Sequence, residues 1–298
     1  MTDAAHHAPV SVTAPPDNPG LPTPLWQRVL IHGVLIAASF VMLYPLLWMF
    51  ASSLKPEHEI FSNPSIWPKS ADFGAYVRGW FGLRYSFGTF FWNSAVIAVL
   101  AVIGNVLSCS LAAYAFTRLK FAGRDFWFAM MLGTLMMPHH VVLIPQYVLF
   151  LNIGWVDTIL PLVVPKFLAV DAFFIFLMVQ FFRGIPRELD EAAAMDGCGP
   201  WRIYWRIMLP LSLPVLATAA IFTFIWTWDD FFAPLIYLND MGSYTAQLGL
   251  RAFVDSSGKS DWGALFAMSV LTLLPVFVVF LFFQRLLIDG IATTGMKR

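Results

Sequence analysis

The chain has 298 residues, of which 59% are hydrophobic and only 12% charged, and its mean hydropathy is +0.71. Ordinary globular domains carry about 25% charged residues, so this composition excludes a water-soluble fold and points to a bilayer as solvent. Eighteen basic residues balance eighteen acidic ones, and the zero net charge leaves no basic surface for nucleic acid.

Residues 1–24 hold six prolines and little apolar content, which predicts a disordered tail. They have no basic segment followed by an apolar core, so they do not read as a cleaved signal. Five runs then contain no Asp, Glu, Lys or Arg: 29–54, 85–117, 126–156, 207–228 and 262–284. Each has at least 22 residues, and about 20 apolar residues cross a hydrocarbon core. A sixth stretch, 158–182, is apolar apart from Lys166 and Asp171. The expected fold is an all-α membrane protein with six transmembrane helices. Placing both termini in the cytoplasm puts eleven Lys and Arg inside and six outside, which is the favoured bias. On that topology residues 51–88 form an external cap loop, and 184–207 form a cytoplasmic loop between the fourth and fifth spans.

Within the second span, Asn93 and Asn105 are expected to hydrogen-bond between helices rather than to bind a ligand. His139 and His140 follow Pro138 in the third span; with no acidic or cysteine partner at ligand spacing they predict a kinked helix end, not a metal site. Lys166 is expected at the outer end of the fourth span, with its ammonium snorkelling to the interface. Cys109 and Cys198 fit no metal spacing, and a disulfide between them is not expected.

The cytoplasmic loop concentrates charge that the chain elsewhere avoids. Pro186 suits a first helical turn. Glu188, Asp190 and Glu191 follow at the positive helix end, and Ala192, Ala193, Ala194 and Met195 propagate the helix. Gly197 can take the left-handed conformation that stops it. Pro200 opens a second helix, with Ile203 and Ile207 four apart and Arg202 and Arg206 on a matching stripe. By local physics the loop is either an interfacial amphipathic segment or a surface on which small alanines let another protein's backbone approach closely.

In the fifth span, Trp226 and Trp228 precede Asp229 and Asp230. Aromatic faces and carboxylates suit sugar rings and hydroxyls. Alternatively, one aspartate pairs with a neighbouring helix or caps a break before Pro234. There is no GxxxxGK[ST] phosphate loop; Gly258-Lys259-Ser260 lacks the earlier glycine, that position being Phe253.

Glu191-Ala192-Ala193, then Gly197 after three residues, then Ile207-Met208-Leu209-Pro210 after nine, matches every fixed position of the EAA loop of ABC importer membrane subunits. FIWTWDDFFAPLIYL at 224–238 and GIATTGMKR at 290–298 are similar to the fifth span and the ending of carbohydrate-importer permeases. The chain thus resembles the maltose-permease type over nearly all of residues 25–298. The resemblance implies a type I ABC importer permease (MetI-like) fold in a bacterial or archaeal cytoplasmic membrane. It implies three kinds of partner: a second permease subunit forming a heterodimer, a homodimeric or paired cytoplasmic ATPase, and an extracytoplasmic solute-binding protein. ATP and Mg would sit on the ATPase, so no catalytic residue, metal or cofactor is expected in this chain. Glu191 would face a basic residue of the ATPase, Ala192 and Ala193 would give the close packing, Gly197 would make the turn, and Ile207, Leu209 and Pro210 would tie the loop to the fifth span. Thr293, Thr294 and Gly295 would reach the ATPase from the C-terminal tail. The cargo implied is a sugar or oligosaccharide. A phosphorylated polyol or a peptide is the rival cargo; a phosphate would want pore arginines, and no predicted span interior holds one. A secondary transporter would need no ATPase, and an intramembrane enzyme would need a catalytic pair that the spans lack.

Overall fold

The structure, a computed structural model, describes residues 24–254 and 260–295. The chain divides into two units, Met1–Trp48 and Met49–Arg298. The first is built on the helix Leu25–Ser52. At 1.5 Å per residue its 28 residues reach about 42 Å, enough to cross a hydrocarbon core of about 30 Å. The tail predicted over residues 1–24 lies almost wholly outside the described residues, as do Gly258 and Lys259.

In the second unit the strut is the 32-residue helix Phe87–Arg118. Ser86 starts it by accepting a hydrogen bond from the Gly88 N–H. Against it pack the helices Ala172–Arg183 and Leu213–Trp228. Cys109, Ala113, Phe174, Met178, Val215 and Ala219 share one buried core there. Asn105 adds a buried polar tie, its Nδ2 donating to Thr223 Oγ1 at 2.8 Å, as expected of an interhelical amide. Asn93 instead donates to the carbonyls of Gly242 and Tyr244, at 2.8 and 3.0 Å.

Among the described residues four helices are long and apolar enough to span a bilayer: Leu25–Ser52, Phe87–Arg118, Leu160–Arg183 and Trp262–Gln284. Pro200–Leu211 and Leu213–Trp228 meet at a 77° bend and supply a fifth if the pair is one span. The expectation of six transmembrane helices is therefore met only in part, and three of the expected stretches are broken. The stretch 126–156 is two helices, Arg124–Thr134 and His139–Asn152. Pro138 sits at the break, where it lacks an N–H and disfavours helical geometry in the residue before it. The expected span 207–228 begins only at Leu213, because Pro214 would clash with the carbonyl of Pro210 in a straight helix. The side chains of His139 and His140 lie outside the described residues.

The fourth span is also interrupted. A short helix Leu160–Val163 runs into the 3-10 turn Val164–Leu168, Ala169 turns left-handed at φ 54°, and the helix Ala172–Arg183 follows. Lys166 does not snorkel alone, as expected from sequence: its Nζ lies 2.8 Å from Asp171 Oδ2, inside this break. The break is seated on Gly104, where a Cβ would come within 2.5 Å of the Phe167 ring.

The segment 51–88 folds against the last helix. Glu57 caps the start of Trp262–Gly295, accepting from the Trp262 and Gly263 N–H groups at 2.9 and 3.2 Å. Lys55, almost fully buried, donates to the carbonyls of Asn63 and Ser65. Ala75, Phe87, Phe90, Ala246, Ala264 and Met268 make a second buried core at this end. Cys109 and Cys198 are both free.

Candidate functional site

The charged loop folds as an elbow. Its first arm is the helix Glu188–Met195, starting two residues after Pro186 and ending at Asp196. Gly197 takes φ +79°. The Cys198 N–H then bonds the Ala193 carbonyl at 2.9 Å and the Gly197 N–H bonds that of Ala194 at 3.0 Å. These are the paired bonds of a Schellman stop, which satisfy carbonyls that the helix end would otherwise leave bare.

The second arm runs Pro200–Ile203, Tyr204–Met208 and Leu209–Leu211. Its middle section is a π-helix rather than the expected α-helix, a widening common at functional sites. Ile207 and Leu209 are half-buried, and Pro210 is exposed just before the bend. These three residues are thus joined to the fifth span through Ser212 rather than lying within it.

The first arm has two distinct faces. Ala193 is buried and belongs to the core that holds the span helices together. Glu191 and Ala192 are exposed, and Met195 is 89% exposed. The inner face is latched to the end of Phe87–Arg118. Arg118 Nε lies 2.8 Å from Asp190 Oδ2, and its NH2 donates to the Ile185 carbonyl at 2.7 Å. Arg187 donates to the Thr117 carbonyl at 3.3 Å. The second arm is latched too: Tyr204 Oη and Ser110 Oγ are 2.7 Å apart, and Tyr114 Oη donates to the Pro200 carbonyl at 3.1 Å. Burial pushes the Asp190 carboxyl above the usual carboxylate range, against the pull of Arg118 and Arg187.

Sequence reasoning placed Asp190 only as a helix-start acid and missed Arg118, Tyr114, Ser110 and Tyr204 as its anchoring set. The one available signal was Tyr204 on the buried side of the second arm beside Ile203 and Met208, an aromatic whose hydroxyl needs a buried partner.

The aromatic pair in the fifth span separates. Trp228 is 3% exposed and donates its indole N–H to the Thr272 carbonyl at 3.0 Å, so it fastens the fifth span to the last helix. Trp226 is 52% exposed and lies on Phe173, Phe174 and Phe222, with ring centroids 5.2–5.8 Å apart. Asp229 is exposed and accepts from Gln247 Nε2 at 3.2 Å. Asp230 accepts from the Ala233 N–H at 3.2 Å and so caps the turn that carries Pro234. The backbone of Thr293, Thr294 and Gly295 ends the last helix; their side chains, and residues 296–298, lie outside the described residues.

Among the described residues no group of His, Cys, Asp and Glu is placed to hold a metal ion. Residues 104–292 match the family described as "Binding-protein-dependent transport system inner membrane component". The chain is 33% identical over 255 residues to the diacetylchitobiose uptake system permease protein of Streptomyces coelicolor, covering 85% of this chain and 84% of that one. It is 31% identical over 270 residues to the sn-glycerol-3-phosphate transport system permease protein of Brucella abortus, covering 88% and 95%. In three dimensions it is similar to a chain of a bacterial ABC transporter involved in the import of the acidic polysaccharide alginate. That match has a TM-score of 0.76 and 24% identity and covers 88% and 98% of the two chains; it carries the fold.

Proposed function

The chain belongs to the binding-protein-dependent transport system inner membrane components, and we propose that the elbow at 184–207 is the handle by which a separate cytoplasmic ATPase drives it. As a member it is a multi-pass permease subunit of an ABC importer, not itself an enzyme. In our reading it crosses the membrane six times, with the two pieces of 126–156 making the third span and both termini in the cytoplasm. A second, non-identical permease completes the path, and an external binding protein delivers the solute.

The observation that carries the reading is the division of the helix Glu188–Met195 into a free face and a latched face. Glu191, Ala192 and Met195 are open to a partner, while Asp190 and Ala193 are locked to the span core. Ala192, exposed on the free face, lets a partner's backbone come close, and Glu191 offers a charge for a basic residue on the ATPase. A pull on this helix cannot be absorbed by the loop, because Arg118, Arg187 and Tyr204 pass it to Phe87–Arg118. The Ser212 bend then delivers it to Leu213–Trp228. Movement of the ATPase pair so becomes movement of packed helices. The Thr293-Thr294-Gly295 ending supplies a second hold on the same partner.

The test is purification of the full-length protein from membranes in mild detergent. Wild type is expected to bring down an ATPase and a second permease, whereas Glu191→Lys loses the ATPase and keeps the permease. Full ATPase retention by Glu191→Lys would sink the handle.

For the solute we favour a neutral sugar or oligosaccharide, with Trp226, backed by Phe173 and Phe174, as the surface it passes and Asp229 as a hydroxyl acceptor beyond it; Trp228 holds this surface in place. The Streptomyces relative's disaccharide supports the class. Lys166, the cation inside the fourth span, is already neutralised by Asp171, which disfavours an anion here. The Brucella relative keeps a phosphorylated polyol as the second reading. Trp226→Ala is expected to raise the KM for uptake about tenfold, by loss of one or two aromatic contacts, with ATPase retention unchanged.

A further inference from the structure

Beside the elbow is a cavity of about 490 Å³ whose chemistry the handle does not use. Four arginines line it, Arg118, Arg124, Arg183 and Arg187, against one carboxylate, Glu188. Phe116 and Ile185 supply an apolar wall. Arg118 is taken up by Asp190 and the Ile185 carbonyl. Arg183 lies with its guanidinium 5.2 Å from the Phe128 ring centroid, and Arg187 bonds a carbonyl. Arg124 pairs with the exposed Asp125 at 3.1 Å, but among the described residues neither Arg183 nor Arg187 has a carboxylate within 4.0 Å. The positive charge is therefore in excess, and Arg118 and Arg183 close the C-terminal ends of their helices, so the guanidiniums are held where they are.

Around the rim stand exposed aromatics. Phe121, Phe126 and Trp127 all present large apolar area to the outside. A second cavity shares Arg124 and adds Lys120, Phe121 and Phe126. Aromatic rings level with a basic rim mark the boundary between headgroups and acyl chains. A soluble anion would have no use for that apolar edge, whereas a phosphodiester carrying acyl chains satisfies both parts.

We infer that this pocket binds the headgroup of an anionic phospholipid, whose phosphate meets Arg124, Arg183 and Arg187 while its chains lie along Phe121, Phe126 and Trp127. The bound lipid braces the elbow from the membrane side, because Arg187 and Ile185 belong to both the pocket and the latch. The inference rests on the inward placement of this rim in the topology proposed above, but not on the ATPase contact.

The experiment is native mass spectrometry and thermal unfolding of the full-length protein, purified with its accompanying subunits. Phosphatidylcholine nanodiscs with and without phosphatidylglycerol provide the lipids. Wild type is expected to retain phosphatidylglycerol and to unfold at a higher temperature with it. Arg124→Gln with Arg183→Gln is expected to bind it about twenty-five-fold more weakly, at about fivefold per arginine. The corresponding double lysine variant should recover most of the binding, which separates charge from fold. Glu191→Lys should retain the lipid as wild type does, so failure of the handle and failure of the pocket read out separately. Equal retention by wild type and the glutamine variant would overturn the proposal. So would displacement of the lipid by inorganic phosphate alone, which would assign the pocket to a soluble anion.

Discussion

Asp190→Ala should unlatch the elbow, and the structure sets how much. The Arg118 side chain is 6% exposed and that of Asp190 18%, with 2.8 Å between Nε and Oδ2. The Arg118 Nε–H is not aligned for a hydrogen bond, and Asp190 Oδ1 is buried with no partner. The pair thus meets at contact distance without a well-formed hydrogen bond. Burial lifts the Asp190 carboxyl above its usual range, so desolvation outweighs the attraction. Removing the carboxylate alone strands a buried guanidinium, which in comparable sites costs about 3–5 kcal/mol. Arg118 keeps the Ile185 carbonyl at 2.7 Å, a charged hydrogen bond that offsets part of this, leaving about 2–3 kcal/mol. That loss corresponds to a fall in Tm of about 5–10 °C. Replacing both partners, Arg118→Met with Asp190→Leu, should recover most of it, since an apolar pair needs no desolvation.

The pH dependence has a definite sign. Because Asp190 titrates higher in the folded state, its contribution is fully present below the unfolded value and is lost as pH rises through the folded value. Wild type should therefore gain stability on acidification through that window, and Asp190→Ala should not. The assay is thermal unfolding in detergent at a series of pH values, with ATPase retention read on the same samples. A single variant as stable as wild type, or a double variant worse than the single one, would refute the latch.

Three other outcomes follow from individual contacts. A Cβ at Gly197 meets no atom within 4 Å, so the cost of Gly197→Ala is the left-handed backbone, about 1–2 kcal/mol; weaker ATPase retention should accompany it, whereas Gly199→Ala at φ −76° should be neutral by the same pull-down. Gly104→Leu drives a side chain into the Phe167 ring, and a lowered Tm that Phe167→Ala partly restores would verify the close seat. Asp157 accepts the Asn239 and Asp240 N–H groups, which hold its carboxyl below the usual range. Its contribution is present above the unfolded pKa and lost as pH falls through the lower folded value, so acid unfolding of Asp157→Asn should lack that component.

Much of the membrane architecture was readable directly from the residues, because hydrophobicity is a local sum and a charge-free run announces itself. The same holds for the turn at Gly197, where one residue type relieves one backbone conformation, and for the interhelical role of Asn105. The break before His139 was anticipated from Pro138 as a kinked helix end, whereas the break at Ser212, signalled by Pro214, stayed hidden inside an apolar run, since composition does not register a missing N–H. Lys166 and Asp171 were both noticed, yet their pairing depends on the left-handed turn at Ala169, which no propensity predicts for alanine.

The face we propose as the grip was suggested by Glu191 and Ala192, with Gly197 ending their helix. Its attachment was not. Arg187 meets Thr117 across a separation of 70 residues, and Arg118 reaches Asp190 on the same footing. Sequence order carries no information about such meetings; they exist only once the span helices have packed. The sequence by itself thus determined which segments are apolar enough to leave water and where the charged, alanine-rich helix of the elbow stops. Tertiary packing decided that this helix is fastened to the spans, because desolvated charges pair with whatever the fold brings within reach.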